Sequence, residues 1–522
     1  MSRHAVVTPH HLSAGAAREV LNKGGNAVDA AIAAIAAQGV VAPETCGLGG
    51  DLFALVHKVG WDRPRTLNSS GRSGSNADPS VLRSAGRNKI PEDDPLAVTI
   101  PGCVDGLTTL SGELGSFAIG ESLQPAIALA VDGFDVSTEQ AATFARRAST
   151  YRENQAVADF YPDGAAVARG DHVTRSDLAT TLMSIADGGR AAFYQGKAGQ
   201  DIIIAVDGLI TDRDLERVNA QWVDPIGADV AGMTAWTIPP NTQGYLGPGT
   251  LAVFEMLEPP DDPEDPLWWH LLIEAYRCLA WERDDIVADP DSAPLPGRLM
   301  LDHDRLTRAA ETVSPETTGT WPNVGSISGT AYMCVADNDG MAVSIIQSNY
   351  RGTGSPYGAA RGGFLLQDRG LGFTLTPGHP NELLPGKRPL HTLAPTLWTD
   401  ETGPRWVLGT RGGAVQPQLL AQVAARAILG STSLEESQAS PRWTISNFGP
   451  NTPSHVAIEP GVSEAVVAGL MSRGHQIDRL VDEQPGWGPV SIIEFEDGDR
   501  RAAADPRVDT ATALVWGETF SS

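Results

Sequence analysis

A hairpin signal in the second half of the chain constrains the fold more than any other stretch. Residues 331–336 and 341–346 are apolar runs of strand length, and residues 337–340 between them end in Asp-Gly, a step typical of a tight hairpin turn. Residues 283–327 upstream are polar and rich in Pro, Asp and Ser, which indicates an exposed linker or loop. Thr330 therefore stands at the very start of a buried hairpin, where a cut in the chain would leave the core intact.

The beginning of the chain adds two helices and another strand. Residues 12–38 are rich in Ala and interrupted by Gly24 and Gly25, which predicts one helix that ends at the glycine pair and a second helix after it. The second helix, residues 27–38, is almost wholly apolar, so we expect it to be buried. Residues 52–56 predict a short strand. The glycine-rich loop before that strand does not indicate a nucleotide site, because the nucleotide-binding motif runs strand, loop, helix and ends in Gly-Lys-Ser/Thr.

The charge balance and the cysteine pattern argue against several classes of protein. Among 522 residues, 38 Lys and Arg oppose 64 Asp and Glu, which gives a formal net charge of −26. Such a surface repels nucleic acid and anionic membranes, and no apolar run approaches the about 20 residues that span a bilayer. The four cysteines form no CxxC pair, which argues against a zinc site or a disulfide scaffold. Without an apolar signal segment at the N-terminus, we expect a cytoplasmic protein with no metal, no membrane partner and no nucleic-acid partner.

The position of Thr330 suits one particular chemistry. A threonine hydroxyl is a weak nucleophile unless a base removes its proton. Cleavage of the Gly329–Thr330 bond would give Thr330 a free α-amine, whose unperturbed pKa of about 7.7–8.0 leaves a useful neutral fraction at physiological pH. That amine can act as the general base, directly or through a water, so the nucleophile needs no Ser-His-Asp triad.

A series of short motifs along the chain strengthens the interpretation of Thr330 as a nucleophile. They are Gly24–Ala31, Gly47–Asp51, Pro101–Gly106, Gly329–Thr330 followed by Asp337–Gly340, Pro385–Pro389 and Gly412–Gly413. With this order and spacing, the chain resembles the γ-glutamyltransferase (glutathione hydrolase) family of N-terminal nucleophile hydrolases from end to end. The segments 346–350 and 415–418 are similar to those of the glutathione hydrolase-like branch of that family.

The resemblance implies a fold and a maturation route. The fold is α+β, a four-layer αββα sandwich. A precursor would be cut into a large subunit, residues 1–329, and a small subunit, residues 330–522, and the two would form one folded unit that acts on a small-molecule substrate. Such pairs could assemble further into a homo-oligomer. No cofactor is implied.

The resemblance also implies the catalytic residues. Thr330 aligns with the nucleophile of the family, and Gly412 and Gly413 align with the glycines whose backbone N–H groups form the oxyanion hole. The alternative for the glycine pair is a structural turn. Ser348 falls where the family has a second hydroxyl next to the nucleophile, or it is an ordinary strand serine.

A substrate-binding set follows from the same resemblance. Arg72 matches the arginine that pairs with the substrate α-carboxylate, although a surface arginine with an ion pair is the alternative. His391 and Thr392 fall where γ-glutamyl enzymes have two serines that hold that carboxylate. His391 would either donate an N–H to the substrate or be a packed, satisfied histidine. Asn349 and Arg369 complete the predicted set.

One stretch departs from the γ-glutamyl pattern. The acidic residue that holds the substrate α-amine is replaced by Gly372, and Arg369 falls near a polar amide position. An arginine repels an ammonium group, although Asp368 could compensate from one register away. We therefore expect an anionic acyl group, with its carboxylate bound by Arg72 and by Arg369 or Arg411.

The sequence thus predicts a self-processing amidohydrolase or acyltransferase. It would act through a covalent acyl-Thr330 intermediate on a small amide that carries a carboxylate, and γ-glutamyl amides remain an open but less favoured choice. Two alternatives stay open at this point: a carbon–carbon bond hydrolase of the same family in a natural-product pathway, and an uncleaved, non-catalytic relative that binds a small acid.

Overall fold

Two large antiparallel sheets form the centre of the molecule. A computed structural model describes residues 3–319, 329–446, 455–496 and 499–517. In these residues the strands β1 to β20 are, in chain order, His4–Thr8, Asp51–His57, Arg65–Ser69, Phe134–Asp135, His172–Val173, Gln221–Val223, Ile226–Val230, Met233–Thr237, Ala331–Ala336, Ala342–Ser348, Gly358–Ala359, Phe364–Leu365, Thr396–Asp400, Gly403–Thr410, Trp443–Ser446, His455–Ile458, Gln476–Arg479, Val490–Glu496, Asp499–Ala504 and Thr512–Trp516.

Helices flank these sheets. In the same described residues the α-helices α1 to α17 are, in chain order, His11–Asn22, Ala27–Val41, Ser80–Ser84, Cys103–Leu114, Ile119–Asp132, Thr138–Arg146, Ala148–Tyr151, Ser176–Tyr194, Lys197–Ala205, Asp212–Glu216, Leu246–Met256, Pro266–Ala280, Arg283–Ile286, His303–Ala310, Gln416–Ala424, Leu434–Ala439 and Glu464–Ser472.

The strand order brings both halves of the chain into each sheet. The first sheet has seven strands in the order β20-β1-β9-β10-β2-β3-β6, and the second has six in the order β19-β18-β14-β13-β8-β7. Strands β9 and β10 form the predicted hairpin, with Ala336 opposite Ala342 and Ala331 opposite Gln347. This hairpin lies in the middle of the first sheet, between β1 and β2.

Successive side chains along a strand face opposite sides of the sheet, which explains the four layers. In β2, Phe53 and Leu55 face the second sheet, where they pack in one cluster with residues such as Val407 and Ile493. Their neighbours Leu52 and Ala54 face the opposite way, into the helical layer that contains α2. A separate core joins the outer face of the second sheet to helices that include α11 and α12. The αββα sandwich is therefore confirmed.

Most of the predicted elements are present, and one interpretation was wrong in part. Helices α1 and α2, strand β2 and the β9–β10 hairpin are found where the patterns indicated. Residues 283–319 are not a plain linker, because they contain α13 and α14, and Leu306 of α14 is buried in the core of the second sheet. A single apolar anchor among polar residues gave too weak a periodic signal. Residues 320–328 of the predicted linker lie outside the described residues.

No helix in the described part of the chain combines the length and the apolar character that a membrane span requires.

Candidate active site

Thr330 and Ser348 meet at the Gly329 carbonyl. Thr330 directly precedes β9, Ser348 ends the neighbouring β10, and both side chains are buried. The Thr330 hydroxyl donates a hydrogen bond to the Gly329 carbonyl oxygen at 2.7 Å, and the Ser348 hydroxyl donates to the same oxygen at 2.8 Å. The backbone N–H of Tyr350 in turn donates to Ser348 Oγ at 2.8 Å, which orients that hydroxyl. The carbonyl next to the nucleophile is thus already polarised by two donors.

The glycine pair is connected to Thr330 through Gln416. Gly412 and Gly413 follow β14 and have φ angles of 130° and 58°, which favour glycine over other residues. A Cβ on Gly412 would also come within 2.9 Å of Leu419 Cδ1. Gln416, at the start of α15, donates to Thr330 Oγ1 at 3.4 Å and so links the nucleophile to the glycine loop. The sequence reasoning missed Gln416, although it belongs to the 415–418 motif.

One edge of the Arg369 guanidinium group has no hydrogen-bond partner among the described residues. The residue is fully buried, and its Nη1 donates to Thr392 Oγ1 at 3.1 Å. Its guanidinium carbon lies 4.0 Å from the centre of the Tyr350 ring. Nε and Nη2 have no hydrogen-bond partner among the described residues. These two nitrogens form the side-on fork that binds a carboxylate bidentately, and burial lowers the pKa of Arg369 to about 10.

A cavity of about 400 Å³ is lined by Tyr350 and Thr392, the two residues that contact this arginine, and Arg369 itself is not among its described lining residues. We call it the Tyr350 cavity; its lining includes Arg283, Tyr350, Gly372, Thr392 and Ala414. Gly372 brings no carboxylate to the wall. The acidic residue of the lining, Asp284, is ion-paired with Arg283 at 2.6 Å. The cavity thus reaches from the glycine loop to Thr392, with no unpaired carboxylate in its lining.

Comparison with known proteins identifies the family to which this chain belongs. The sequence pattern of the gamma-glutamyltranspeptidase family matches residues 13–515. The chain belongs to that family.

Individual relatives match over nearly their whole length. The chain is 32% identical to the "Glutathione hydrolase-like YwrD proenzyme" of Bacillus subtilis (strain 168), over 98% of this chain and 99% of the relative. It is 31% identical to the "Oxamate amidohydrolase proenzyme" of Klebsiella pneumoniae, over 98% of this chain and 99% of that relative. The solved cephalosporin acylase from Bacillus halodurans superposes with a TM-score of 0.91 at 30% identity, covering 99% of this chain and 96% of that one. The protein is therefore an N-terminal nucleophile hydrolase of the gamma-glutamyltranspeptidase family.

Two of the predicted arginines are already engaged. Arg72 donates from Nη1 to the Asp289 carboxylate at 3.1 Å and to the Gly386 carbonyl at 3.0 Å. Arg411 donates to Glu139 at 2.8 Å, to the Pro485 carbonyl at 2.8 Å and to another backbone carbonyl. Arg72, Arg369 and Arg411 all lie outside the described lining of the Tyr350 cavity. Arg72 is thus ion-paired through Nη1, Arg369 keeps two buried nitrogens without a partner among the described residues, and the carboxylate anchor stays a prediction.

His391 takes the packed role. Its Nδ1 accepts the backbone N–H of Leu393 at 3.3 Å, so Nε2 carries the proton and donates to Asp51 at 3.1 Å. Burial, together with the nearby Arg369, lowers the pKa of His391 to about 3, which keeps it neutral. Both ring nitrogens are thus occupied within the protein. Thr392 next to it keeps the hydroxyl that meets Arg369.

Asn349 and Asp368 also face partners within the protein. Asn349 Nδ2 donates to the Thr353 carbonyl at 3.2 Å, and its side chain lines a small internal cavity next to Gly47. Asp368 accepts the Arg351 backbone N–H at 3.0 Å, and burial raises the pKa of its carboxyl to about 6. Asp368, like Arg369, does not belong to the described lining of the Tyr350 cavity.

A buried trio outside the site resembles a metal-ligand set that the sequence spacing did not reveal. The ligating atoms of His270, Glu274 and His475 lie within 4.8 Å of one another. However, the two imidazoles bond each other at 2.7 Å, and Glu274 accepts the Gly319 N–H at 2.9 Å and is ion-paired with Arg277. These bonds give the trio a structural role that joins α12 to the C-terminal region.

Proposed function

We propose that this protein is a self-processing amidohydrolase whose acyl substrate carries a carboxylate bound by Arg369 and Thr392. Thr330 is the nucleophile, and Gly412 and Gly413 supply the oxyanion hole. Oxamate, after which one relative is named, is itself an amide with a carboxylate attached. The word proenzyme in the names of that relative and of the Bacillus subtilis one supports processing of this chain.

The observation that carries the proposal is the free fork of Arg369. A buried guanidinium with two unpaired N–H groups costs free energy, which a bound carboxylate would recover. The residue at the amine-binding position is Gly372, which offers no charge to an ammonium group. The cavity thus offers no unpaired acid to an α-amine, and the unpaired nitrogens of Arg369, next to Thr392 in the cavity wall, favour an acyl group with a carboxylate.

Processing would begin at the carbonyl that Thr330 and Ser348 share. Thr330 Oγ attacks the Gly329 carbonyl carbon, and the negative charge that develops on its oxygen is stabilised by the Ser348 hydroxyl, already 2.8 Å away. Breakage of the C–N bond converts the amide into an ester on Thr330 Oγ, and the released nitrogen takes up a proton. Water then hydrolyses the ester, which frees the Thr330 hydroxyl and the Gly329 carboxylate and leaves the α-amine from the previous step beside that hydroxyl.

The mature site would then act on the substrate. The α-amine takes the proton of Thr330 Oγ as this oxygen attacks the substrate carbonyl, whose oxygen is held by the N–H groups of Gly412 and Gly413. The amine product leaves with that proton. Water resolves the acyl-Thr330 ester, and an amine in place of water would give acyl transfer.

A comparison of two anilides tests the proposal. The matured protein is assayed with glutaryl-p-nitroanilide and with γ-glutamyl-p-nitroanilide, which differ only in the α-amine. We expect kcat/KM to favour the glutaryl substrate by at least about tenfold, equivalent to about 1.4 kcal/mol. Thr330→Ala is the control and should abolish both processing and turnover. A tenfold preference for the γ-glutamyl substrate, or hydrolysis that survives in Thr330→Ala, would refute the proposal.

A further inference from the structure

Gln243 holds together two parts of the site that are far apart in sequence. It lies in the loop between β8 and α11 and is fully buried. Its Nε2 donates to the Thr392 carbonyl at 3.0 Å and to the Gly413 carbonyl at 3.1 Å, and the Ala414 carbonyl is 3.3 Å away. Its backbone N–H donates to the carbonyl of His391 at 2.9 Å. The Gln243 side chain thus connects Thr392, which bonds Arg369, to Gly413 of the glycine pair.

Arg283 fixes the direction of this side chain. Its Nη1 donates to Gln243 Oε1 at 3.0 Å, so the amide oxygen faces the arginine and the NH₂ group faces the carbonyls. Arg283 is itself held by Asp284 and lines the Tyr350 cavity. An apolar or acidic side chain of the same length could not donate to these carbonyls. The arrangement therefore depends on the carboxamide.

The bridge contacts the two parts of the site to which the proposed function assigns the carboxylate and the scissile carbonyl. At one end, Thr392 carries the hydroxyl that accepts from Arg369 Nη1 at 3.1 Å. At the other end, the carbonyl of Gly413 is held by Gln243, while that of Gly412 accepts the Val415 N–H at 3.2 Å. With the peptides on both sides of Gly413 held, its N–H has a defined direction.

We propose that Gln243 is a positioning residue that couples carboxylate binding at Arg369 to alignment of the scissile carbonyl in the oxyanion hole. This inference rests on the proposed function. Through this bridge, binding of the remote carboxylate stabilises the transition state more than the bound substrate. The carboxylate therefore raises kcat and does not only lower KM. Gln243 also sets specificity, because an acyl group without the carboxylate gains nothing from the bridge.

The test is a cycle between the substrate carboxylate and Gln243. Glutaryl-p-nitroanilide and pentanoyl-p-nitroanilide, which carry a carboxylate and a methyl group at the same position, are compared in the wild type and in Gln243→Met. In the wild type we expect the carboxylate to raise kcat. In Gln243→Met the advantage in kcat should fall at least about tenfold, while the carboxylate still lowers KM.

Two further variants separate positioning from folding. Gln438→Met is the matched control, since the buried Gln438 donates to two backbone carbonyls, of Val490 and Ala503, in another part of the fold. It should leave the carboxylate advantage in kcat unchanged. Gln243→Glu keeps the shape but cannot donate, so it should reproduce Gln243→Met. If Gln243→Met does not mature, Gln243→Asn, with the amide one methylene shorter, provides the comparison.

The outcomes are distinguishable. Equal kcat losses on both substrates in the Gln243 variants, or no loss, would overturn the coupling and leave the proposed function standing. A wild-type enzyme that shows no preference for the carboxylate would overturn the proposed function, and the coupling with it.

Discussion

At the scale of single residues, one carbonyl oxygen organises the catalytic centre. Thr330 and Ser348 both donate to the Gly329 oxygen, and their own oxygens lie 3.4 Å apart. Before cleavage, no free α-amine exists at Thr330 to serve as a base. We therefore expect stabilisation of the developing charge on the Gly329 oxygen to contribute to processing, and the Ser348 hydroxyl already bonds that oxygen.

Replacement of Ser348 by Ala should slow processing. Loss of one donor to an oxyanion costs about 100-fold in rate. We expect the intact 55.0 kDa chain of Ser348→Ala to persist at times when the wild type is fully cleaved, as measured by denaturing electrophoresis over a time course. Ser344→Ala is the matched control, because Ser344 is buried on the same strand and bonds the Tyr332 hydroxyl at 2.9 Å. Equal rates for the two variants would contradict this role of Ser348.

At the scale of elements, the β9–β10 hairpin is tied to a helix. The turn residue Asp337 accepts the N–H groups of Asp339 at 3.1 Å and Met341 at 2.9 Å with one carboxylate oxygen. With the other it accepts the N–H of Ala27 at 3.0 Å, in the first turn of α2, where the helix dipole favours a negative charge. The hairpin that carries the nucleophile is thus anchored to the outer helical layer by one side chain.

Asp337→Ala should destabilise the fold without removing any group of the catalytic site. Hydrogen bonds to a buried charge contribute about 1.5–3 kcal/mol each, so we expect the loss of all three to cost more than about 3 kcal/mol and to lower the Tm in thermal unfolding. Asp339→Ala, in the same turn but exposed, should leave Tm nearly unchanged. A fall in Tm of the same size in Asp339→Ala would show that the turn itself, rather than its link to α2, is what matters.

At the scale of the whole molecule, the predicted cut would divide both sheets. In the first sheet, β9 and β10 from residues 330–522 lie between β1 and β2 from residues 1–329. In the second sheet, β13 pairs with β8 of the first segment. Separation of the two pieces would expose the cores on both faces of the sheets.

The two pieces should therefore stay together after cleavage. We expect matured protein to elute from size exclusion as one species that contains both pieces, and to separate only in denaturant. Elution of either piece alone under native conditions would contradict this intermixed arrangement. Uncleaved Thr330→Ala should elute at the same volume, since the cut removes no contact between the sheets.

The sequence predicted the elements that rest on local patterns. The Asp-Gly hairpin, the apolar helix α2 and strand β2 follow from periodicity and turn chemistry within a few residues. The family was evident from motifs in order, and with it the four-layer fold. Helix α14 escaped notice because its amphipathic pattern depends on a single buried leucine.

The sequence by itself determined the family, from the order of its motifs, and the hairpin that follows Thr330, from a short local pattern. The roles of Thr330 and the glycine pair stay predictions from the resemblance. Only the tertiary structure decided which partners the predicted binding residues meet. Arg72 and Arg369 have the same side chain, yet one meets Asp289 and the other keeps a free fork. Gln243 meets Gly413 across a sequence separation of 170 residues. The physical reason is that the role of a charged or polar side chain depends on which partners the fold brings to it, and these contacts join segments that no local pattern connects.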